Sequence, residues 1–190
     1  MGDENKLLLP WRADQKLVEA AVAAVVATGF ERVIVVVGYQ GEIVADLLRP
    51  YPVEVVVNEL YGHGLSTSVR RGIEACPADA DTRAFLIALG DMPKVTTAML
   101  SAICCAFLKR GDSRTIAVPV VEGRRGNPVL FGAGYREALS RLEGDRGARH
   151  LLEGNAGRVL EVSVGDDSSV FDDPDTPSAY RRLTGADTES

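Results

Sequence analysis

Five apolar residues, Phe85 to Leu89, run without a break into Gly90-Asp91-Met92-Pro93. A run that short and that uniformly apolar predicts a strand over residues 85–89 buried on both faces, the setting of an inner strand in a parallel sheet. Ligands of open α/β sheets bind beyond the carboxyl ends of such strands. Asp91 stands at that end, exposed, where a carboxylate can hold a hard cation such as Mg²⁺ beside a phosphate. The plainer reading is a turn residue before Pro93.

The rest of the chain alternates around that stretch. The Ala- and Val-rich segment 16–28 predicts a helix stopped by Gly29, followed by a buried strand over 33–37. A helix over 41–49 stops at Pro50, and 53–57 is the next strand. A loop then leads to a helix over about 66–75, with Ser66 as a plausible N-cap type. Beyond Asp91, Thr96 or Thr97 can cap a helix to about residue 109. Residues 115–121 read as a strand broken by Pro119, 126–131 as a turn and strand, and 135–142 as a helix. Asp145 can cap a short helix through 152, 159–164 is a strand, and Pro177 opens a terminal helix to 183. Alternation of this kind predicts an α/β fold: a Rossmann-like, mostly parallel sheet with helices on both faces. The closely spaced strands after residue 115 add a small antiparallel part. A length of 190 residues favours one domain, 1–183, with a tail over 184–190.

Charge and cysteine usage narrow the function classes. A net charge of −6 argues against general binding of nucleic acid or of an acidic membrane, though not against a local basic pocket. No apolar run approaches the roughly 18 residues that span a bilayer, and the polar N-terminus broken at Pro10 does not read as a signal peptide. Cys76, Cys104 and Cys105 form neither a metal-ligand pattern nor a disulfide framework, so buried thiols in a reducing cytoplasm are expected. The common phosphate-binding glycine fingerprints are absent. His63 reads as a loop residue and His150 as a helix-surface or packing residue, not as catalytic bases.

Six short strings stand in a telling order: Lys6-Leu7-Leu8-Leu9-Pro10; Asn58-x-x-Tyr61-x-x-Gly64-x-x-x-Ser68-Val69-x-x-Gly72; Leu89-Gly90-Asp91-Met92-Pro93; Gly126-Asn127-Pro128-Val129; Gly144-Asp145-x-Gly147-Ala148-Arg149; and Asp173-x-Asp175-Thr176-Pro177. Each alone is weak. Together, and over nearly the whole chain, they resemble the molybdenum cofactor cytidylyltransferase branch of the MobA-like nucleotidyltransferase family. The resemblance implies a Mg²⁺-dependent enzyme that transfers CMP from CTP to the phosphate of molybdenum-bound molybdopterin and releases pyrophosphate. The alternatives it leaves are a guanylyltransferase using GTP, another nucleotidyl acceptor, or a non-catalytic carrier of the molybdenum cofactor. Molybdoenzymes or their maturation factors would be its protein partners.

The same resemblance implies roles. Asp91 and Asp175 would hold the metal, with Asp173 as the near alternative to Asp175. Lys6 would act on the phosphates as a point charge, with Lys6 and Asp91 the catalytic pair. Asn58, Gly64, Ser68 and Gly90 join Lys6 on the nucleotide side. Gly126, Asn127, Pro128, Gly144, Asp145 and Gly147 form the acceptor side. Residue by residue, Thr176 is equally good as the N-cap of the terminal helix, and Asp145 as a helix cap. Two departures stand out. The family often carries His where this chain has Asn127. The family also opens with an apolar strand and a Gly-rich loop, broadly Leu-Ala-Ala-Gly-x-Ser-x-Arg-Met-Gly, of which only Met1-Gly2 correspond here. The expectation is that the start is late, or that the chain is not a competent enzyme alone. The missing strand would fall between residues 33–37 and 85–89, leaving two edges facing a gap. An upstream extension could supply it, another segment could fill it, or the flanking strands could close.

Overall fold

The computed structural model describes all residues except 1–4, 13, 79–80, 145–147, 167–170, 173, 175 and 185–190. Asp145, Gly147, Asp173, Asp175 and nearly all of the expected tail therefore lie outside the described residues.

The strands form two sheets. Ile34–Val37 (β1) and Glu54–Val57 (β2) pair in parallel, Ile34 opposite Glu54. The second sheet contains Ala84–Ile87 (β3), Ile116–Val121 (β4), Arg124–Arg125 (β5), Val129–Gly132 (β6) and Val159–Ser163 (β7). Its order is β3-β6-β4-β5, with β7 also on β4. β3 and β4 run antiparallel to β6 between them, and β7 runs parallel to β4. Thus β3, β4 and β7 share one direction, and β6 with the two-residue β5 is the antiparallel addition that the strand spacing led one to expect. β4 continues through Pro119, which sits opposite Val162, so that proline does not break the strand.

Helices cover the sheets where the sequence places them. Leu17–Ala27 (α1) starts with the Lys16 amide donating to Glu19 Oε2 at 2.8 Å and buries Leu17, Val18, Ala21 and Val22 along one stripe. Gly41–Leu48 (α2) buries Val44 and Leu48 against the β1 side. Leu65–Ala75 (α3) packs on β1 and β2. Thr97–Arg110 (α4) is capped by Thr96, whose Oγ1 accepts from the Met99 amide at 3.3 Å, and it ends at Gly111 with φ +68°. The expected helix over 135–142 is shorter: a 3-10 turn, Ala133–Tyr135, passes into Arg136–Ser140 (α5). Arg149–Gly154 (α6) and Pro177–Thr184 (α7) complete the set. The core of the second sheet centres on Phe131, Ile116, Val118 and Leu139, all without accessible surface. The Tyr135 hydroxyl enters that core and donates to Arg114 O at 3.1 Å, and burial pushes its pKa up.

Three expectations need correcting. The central strand ends at Ile87, two residues early, and is not buried on both faces: Ala84, Leu86 and Ile87 are only half-buried. β1 is similar, with only Val37 of its four residues buried. The cause is topological. Among the described residues β1 pairs only with β2, and β3 only with β6, so each presents an unpaired edge. The thiols also differ from expectation: Cys105 is exposed, and Cys76 and Cys104 are half-buried. Burial and, second, the adjacent Cys105 push the Cys104 thiol up, so it stays protonated near neutrality.

The residues before α1 lie over the split between the sheets. A 3-10 turn, Lys6–Leu8, is capped by Asn5, whose Oδ1 accepts from the Leu7 amide at 3.1 Å and whose Nδ2 donates to Tyr39 O at 3.0 Å. Leu7 and Leu8 pack with Val18, Val37 and Val44. A Cβ on Gly90 would lie 3.3 Å from Leu7 Cδ2, so the same turn also reaches the segment after β3.

Amide hydrogen exchange should register the split. In β4, bonded to β6 and β7, the amides of residues 116–118 should exchange only through global opening. In β1 and β3, the amides pointing away from their single partner should exchange faster by about 100-fold or more. Uniform protection across the three strands, measured by NMR, would contradict the unpaired edges.

Candidate functional site

The loop after β3 carries the central feature. Asp91 is 7% exposed, so the expectation of an exposed strand-end carboxylate is corrected. Its Oδ2 lies 2.6 Å from Lys6 Nζ. Its Oδ1 is buried and has no hydrogen-bond partner among the described residues. Stripping water from a carboxylate oxygen without replacing its hydrogen bonds costs about 1–3 kcal/mol or more. An orphan oxygen of that kind is the position a hard cation fills, since such ions take oxygen ligands and compensate the lost hydration. Lys6 and Asp91, 85 positions apart, are thus brought together, with Gly90 under Leu7. The partner expected for Asp91, Asp175, falls outside the described residues. Its neighbour Thr176 is the helix cap: Oγ1 accepts from the Ala179 amide at 3.1 Å. One turn into α7, the Tyr180 hydroxyl donates to Pro10 O, tying this helix to the segment that carries Lys6.

Asn58, Gly64 and Ser68 also meet, at the junction of β2 and α3. Asn58 is buried, and its Nδ2 donates to Thr67 Oγ1 at 2.9 Å and Ser68 Oγ at 3.0 Å. Its Oδ1 accepts from the Leu60 amide at 3.0 Å. Thr67 Oγ1 returns a proton to the carbonyls of Leu60 and Gly64, at 3.0 and 2.9 Å. Both Asn58 amide hydrogens are therefore spent inside the loop, and its side chain shapes the junction. Gly64 supplies the φ of +99° that the helix entry needs and is itself the N-cap, so Ser66 is not. The role of Thr67 escaped the sequence reading, although a Thr nine residues after a strand-end Asn was visible.

The acceptor-side residues split. Asp145 and Gly147 are not described, and Gly144 sits in an exposed turn with φ +76°. Gly126, Asn127 and buried Pro128 lead into β6 across a cis Asn127–Pro128 bond. Beside them lies a cavity of about 200 Å³. Leu89 and Met92, which bracket Gly90-Asp91, line one part of it, and Arg124, Arg125, Asn127 and Arg149 line another. The three arginines were not singled out from the sequence, though Arg124-Arg125 directly precede Gly126. His63 is exposed in a 3-10 turn and His150 exposed on α6, the loop and helix-surface placements expected. Among the described residues no cluster of three or more His, Cys, Asp or Glu could hold a metal by itself, and no helix is long and apolar enough to cross a membrane.

Residues 1–160 match the model of the MobA-like NTP transferase domain. A curated relative, nicotine blue oxidoreductase of Paenarthrobacter nicotinovorans, is 29% identical over 96% of this chain and 90% of its own length. Among solved structures, the manganese complex of Rv0371C from Mycobacterium tuberculosis H37Rv is 27% identical, with a TM-score of 0.79 over 96% of this chain and 92% of that one. A nucleotidyl transferase from Methanothermobacter thermautotroptrophicus is 26% identical, with a TM-score of 0.78 over 95% and 84%.

Replacing Asn58 by Ala removes two donors and an acceptor from a buried network and strands the Leu60 amide. A loss of about 2–3 kcal/mol is expected, read as a lowered urea midpoint. A change under about 0.5 kcal/mol would mean that the network does not hold the loop.

Proposed function

The chain belongs to the MobA-like NTP transferase family, a nucleotidyltransferase family, and from that premise we propose that it transfers CMP from CTP to the phosphate of molybdenum-bound molybdopterin. An acceptor phosphate oxygen would attack the α-phosphorus of CTP. The bond from that phosphorus to the β-bridging oxygen would break, and pyrophosphate would leave. The observation that carries this reading is the ion pair of partly exposed Lys6 with buried Asp91, whose Oδ1 has no partner among the described residues, and whose sequence neighbour Met92 lines a cavity with three arginines. A carboxylate with one arm held by Lys6 and the other bare fits a divalent cation, and a manganese complex is known for a relative of the same fold. Asp91, with Asp175, would hold Mg²⁺, which would neutralise charge on the triphosphate and leaving group. Lys6 fixes the Asp91 rotamer and brings positive charge to the phosphates. Asn58, Thr67 and Ser68 hold the β2–α3 junction so that Gly64 presents backbone to the nucleotide. Gly126, Asn127 and Pro128, with Gly144, Asp145 and Gly147, would receive the acceptor. The cytidylyl choice over GTP rests on the Lys-Leu-Leu-Leu-Pro string, and a cytoplasmic setting on the pattern of free cysteines.

A second reading has its own support. A carrier that binds the pterin without CTP would need the arginine-lined cavity and no triphosphate site. The curated relative is named an oxidoreductase, a third class. Calorimetric titration with CTP and Mg²⁺, followed by a pyrophosphate-release assay with the molybdenum cofactor, separates them: only the transferase reading expects both signals.

Asp91→Ala should abolish pyrophosphate release. Because it also removes an unsatisfied buried oxygen, the melting temperature should hold or rise. Retention of more than a tenth of the activity would remove Asp91 from the centre of the mechanism. In competition, CTP should outpace GTP by tenfold or more, since a site built to hydrogen-bond one base leaves polar groups unpaired with another. Equal use of both would overturn the base assignment.

A further inference from the structure

We propose that the cavity beside Asp91 is a pocket for a phosphomonoester dianion, bound by Arg149 and Arg124, in which the Asp172 carboxylate occupies Arg124 until the phosphate displaces it. The proposal deepens the transferase reading, which needs an acceptor phosphate close to Asp91 but leaves its recognition unassigned.

Charge in this cavity is uneven for a chain of net charge −6. Three guanidinium groups line one cavity of about 200 Å³, roomy enough for a phosphate and the first atoms of its ester. Their states differ. Arg125 Nε is engaged by Glu161 Oε1 at 2.7 Å. Arg124 Nη1 is more loosely held by Asp172 Oδ1 at 3.3 Å, with Nη2 at 3.5 Å from Phe171 O. Arg149 has no ion pair and no hydrogen bond among the described residues. The pocket therefore presents one cation without a partner among the described residues, one held by a long ion pair and a long carbonyl contact, and one firmly paired.

That gradation matches a dianion. Two guanidinium forks can take two faces of a tetrahedral phosphate by paired N–H···O bonds, which a lysine pair cannot reproduce. The Arg124–Asp172 pair is half-exposed on both sides, 53% and 49%, and a pair so exposed is easily exchanged. A phosphate with two charges outcompetes one carboxylate, whereas a singly charged group gains little by the exchange. Phe171 fixes the arrangement. Its ring lies so close to Gly126 that a Cβ there would be 2.2 Å from Cδ1, so residue 171, and with it Asp172, is seated against the loop that carries Arg124 and Arg125. Leu89 and Met92 then set the pocket next to the buried carboxylate that they bracket.

The test uses the full chain and phenyl phosphate as the probe, with phenyl sulfate as the monoanionic comparison and no nucleotide present. Binding is read by calorimetry and by ³¹P line broadening. Phenyl phosphate should bind at least tenfold more tightly than phenyl sulfate. Arg149→Ala should weaken phosphate binding at least tenfold, with Arg149→Lys recovering part of it. Asp172→Asn should strengthen it about threefold at low salt. Arg141→Ala, which removes a surface cation paired with Glu137, should change nothing. Unchanged binding in Arg149→Ala, weaker or equal binding in Asp172→Asn, or equal affinity for the sulfate would overturn the proposal. Arg149 is exposed, so its substitution does not threaten the fold, and a melting curve checks this. The outcome is independent of turnover: probe binding as described with no pyrophosphate release from CTP would refute the transferase reading and leave the pocket standing.

Discussion

A carboxylate taken out of water has to be compensated, and the organisation of the site follows from how Asp91 meets that requirement. Lys6 satisfies one oxygen and nothing described satisfies the other. A protein under selection for stability alone would replace such a residue, because a buried orphan acceptor weakens the fold. Holding Lys6 in place in turn requires the capped turn at Asn5, the apolar anchors Leu7 and Leu8, and the Tyr180 contact to Pro10. Chain segments from both ends of the sequence are thus fixed about one acidic group that keeps an uncompensated oxygen among the described residues. That pattern is expected where the group acts on a ligand.

The split between the sheets shapes the surroundings of the Lys6–Leu8 turn. In a continuous parallel sheet β1 and β3 would be closed by a common neighbour, and their residues would be covered on both faces. Here, among the described residues, each has one partner, and all their residues but Val37 and Phe85 are half-buried although their composition suits full burial. The Lys6–Leu8 turn spans the split at one end, touching the β1 cluster through Leu8 and the Asp91 loop through Leu7. Lys6 is therefore positioned by packing against both sheets, and the distance between them controls the Lys6–Asp91 contact.

How much of this the sequence disclosed depends on the range of the cause. Period and punctuation located every helix and every strand but the two-residue β5, and α1, α4 and α7 are bounded by local signals: Glu19, Thr96, Gly111, Thr176. Lys6 and Asp91 were legible because each lies in a string with a family pattern, even though nothing local says that they touch. The depth of Asp91 was not legible, since burial at a strand end depends on what crosses it, here Leu7 and Lys6 from 85 positions away. For the same reason β3 was misread as doubly buried: apolar composition records what a strand can tolerate, while coverage depends on its neighbours. Asn58 shows the converse. Its type suited a ligand contact, and only the positions of Thr67, Ser68 and Leu60 show both amide hydrogens already used.

The two sides of the site are built on opposite principles, and this bears on how it can select substrates. Around Asn58 every polar atom named has an internal partner, which suits a junction that, in the proposed reading, discriminates by shape through the backbone at Gly64. On the cavity wall Arg149 has no side-chain partner among the described residues and Arg124 only long ones, while Arg125 is paired with Glu161, so in the proposed reading that wall discriminates by charge. Asp91 has one oxygen committed to Lys6 and one without a partner among the described residues. A rigid wall sets the position of whatever rests against it, and a wall of exchangeable ion pairs accepts an anion without prior reorganisation of the backbone. The proposed transfer would bring two polyanions together, and their mutual repulsion would have to be offset at the point of approach. In a chain of net charge −6, Lys6 at Asp91 and the three arginines of the cavity that Leu89 and Met92 also line are the cations at hand for that.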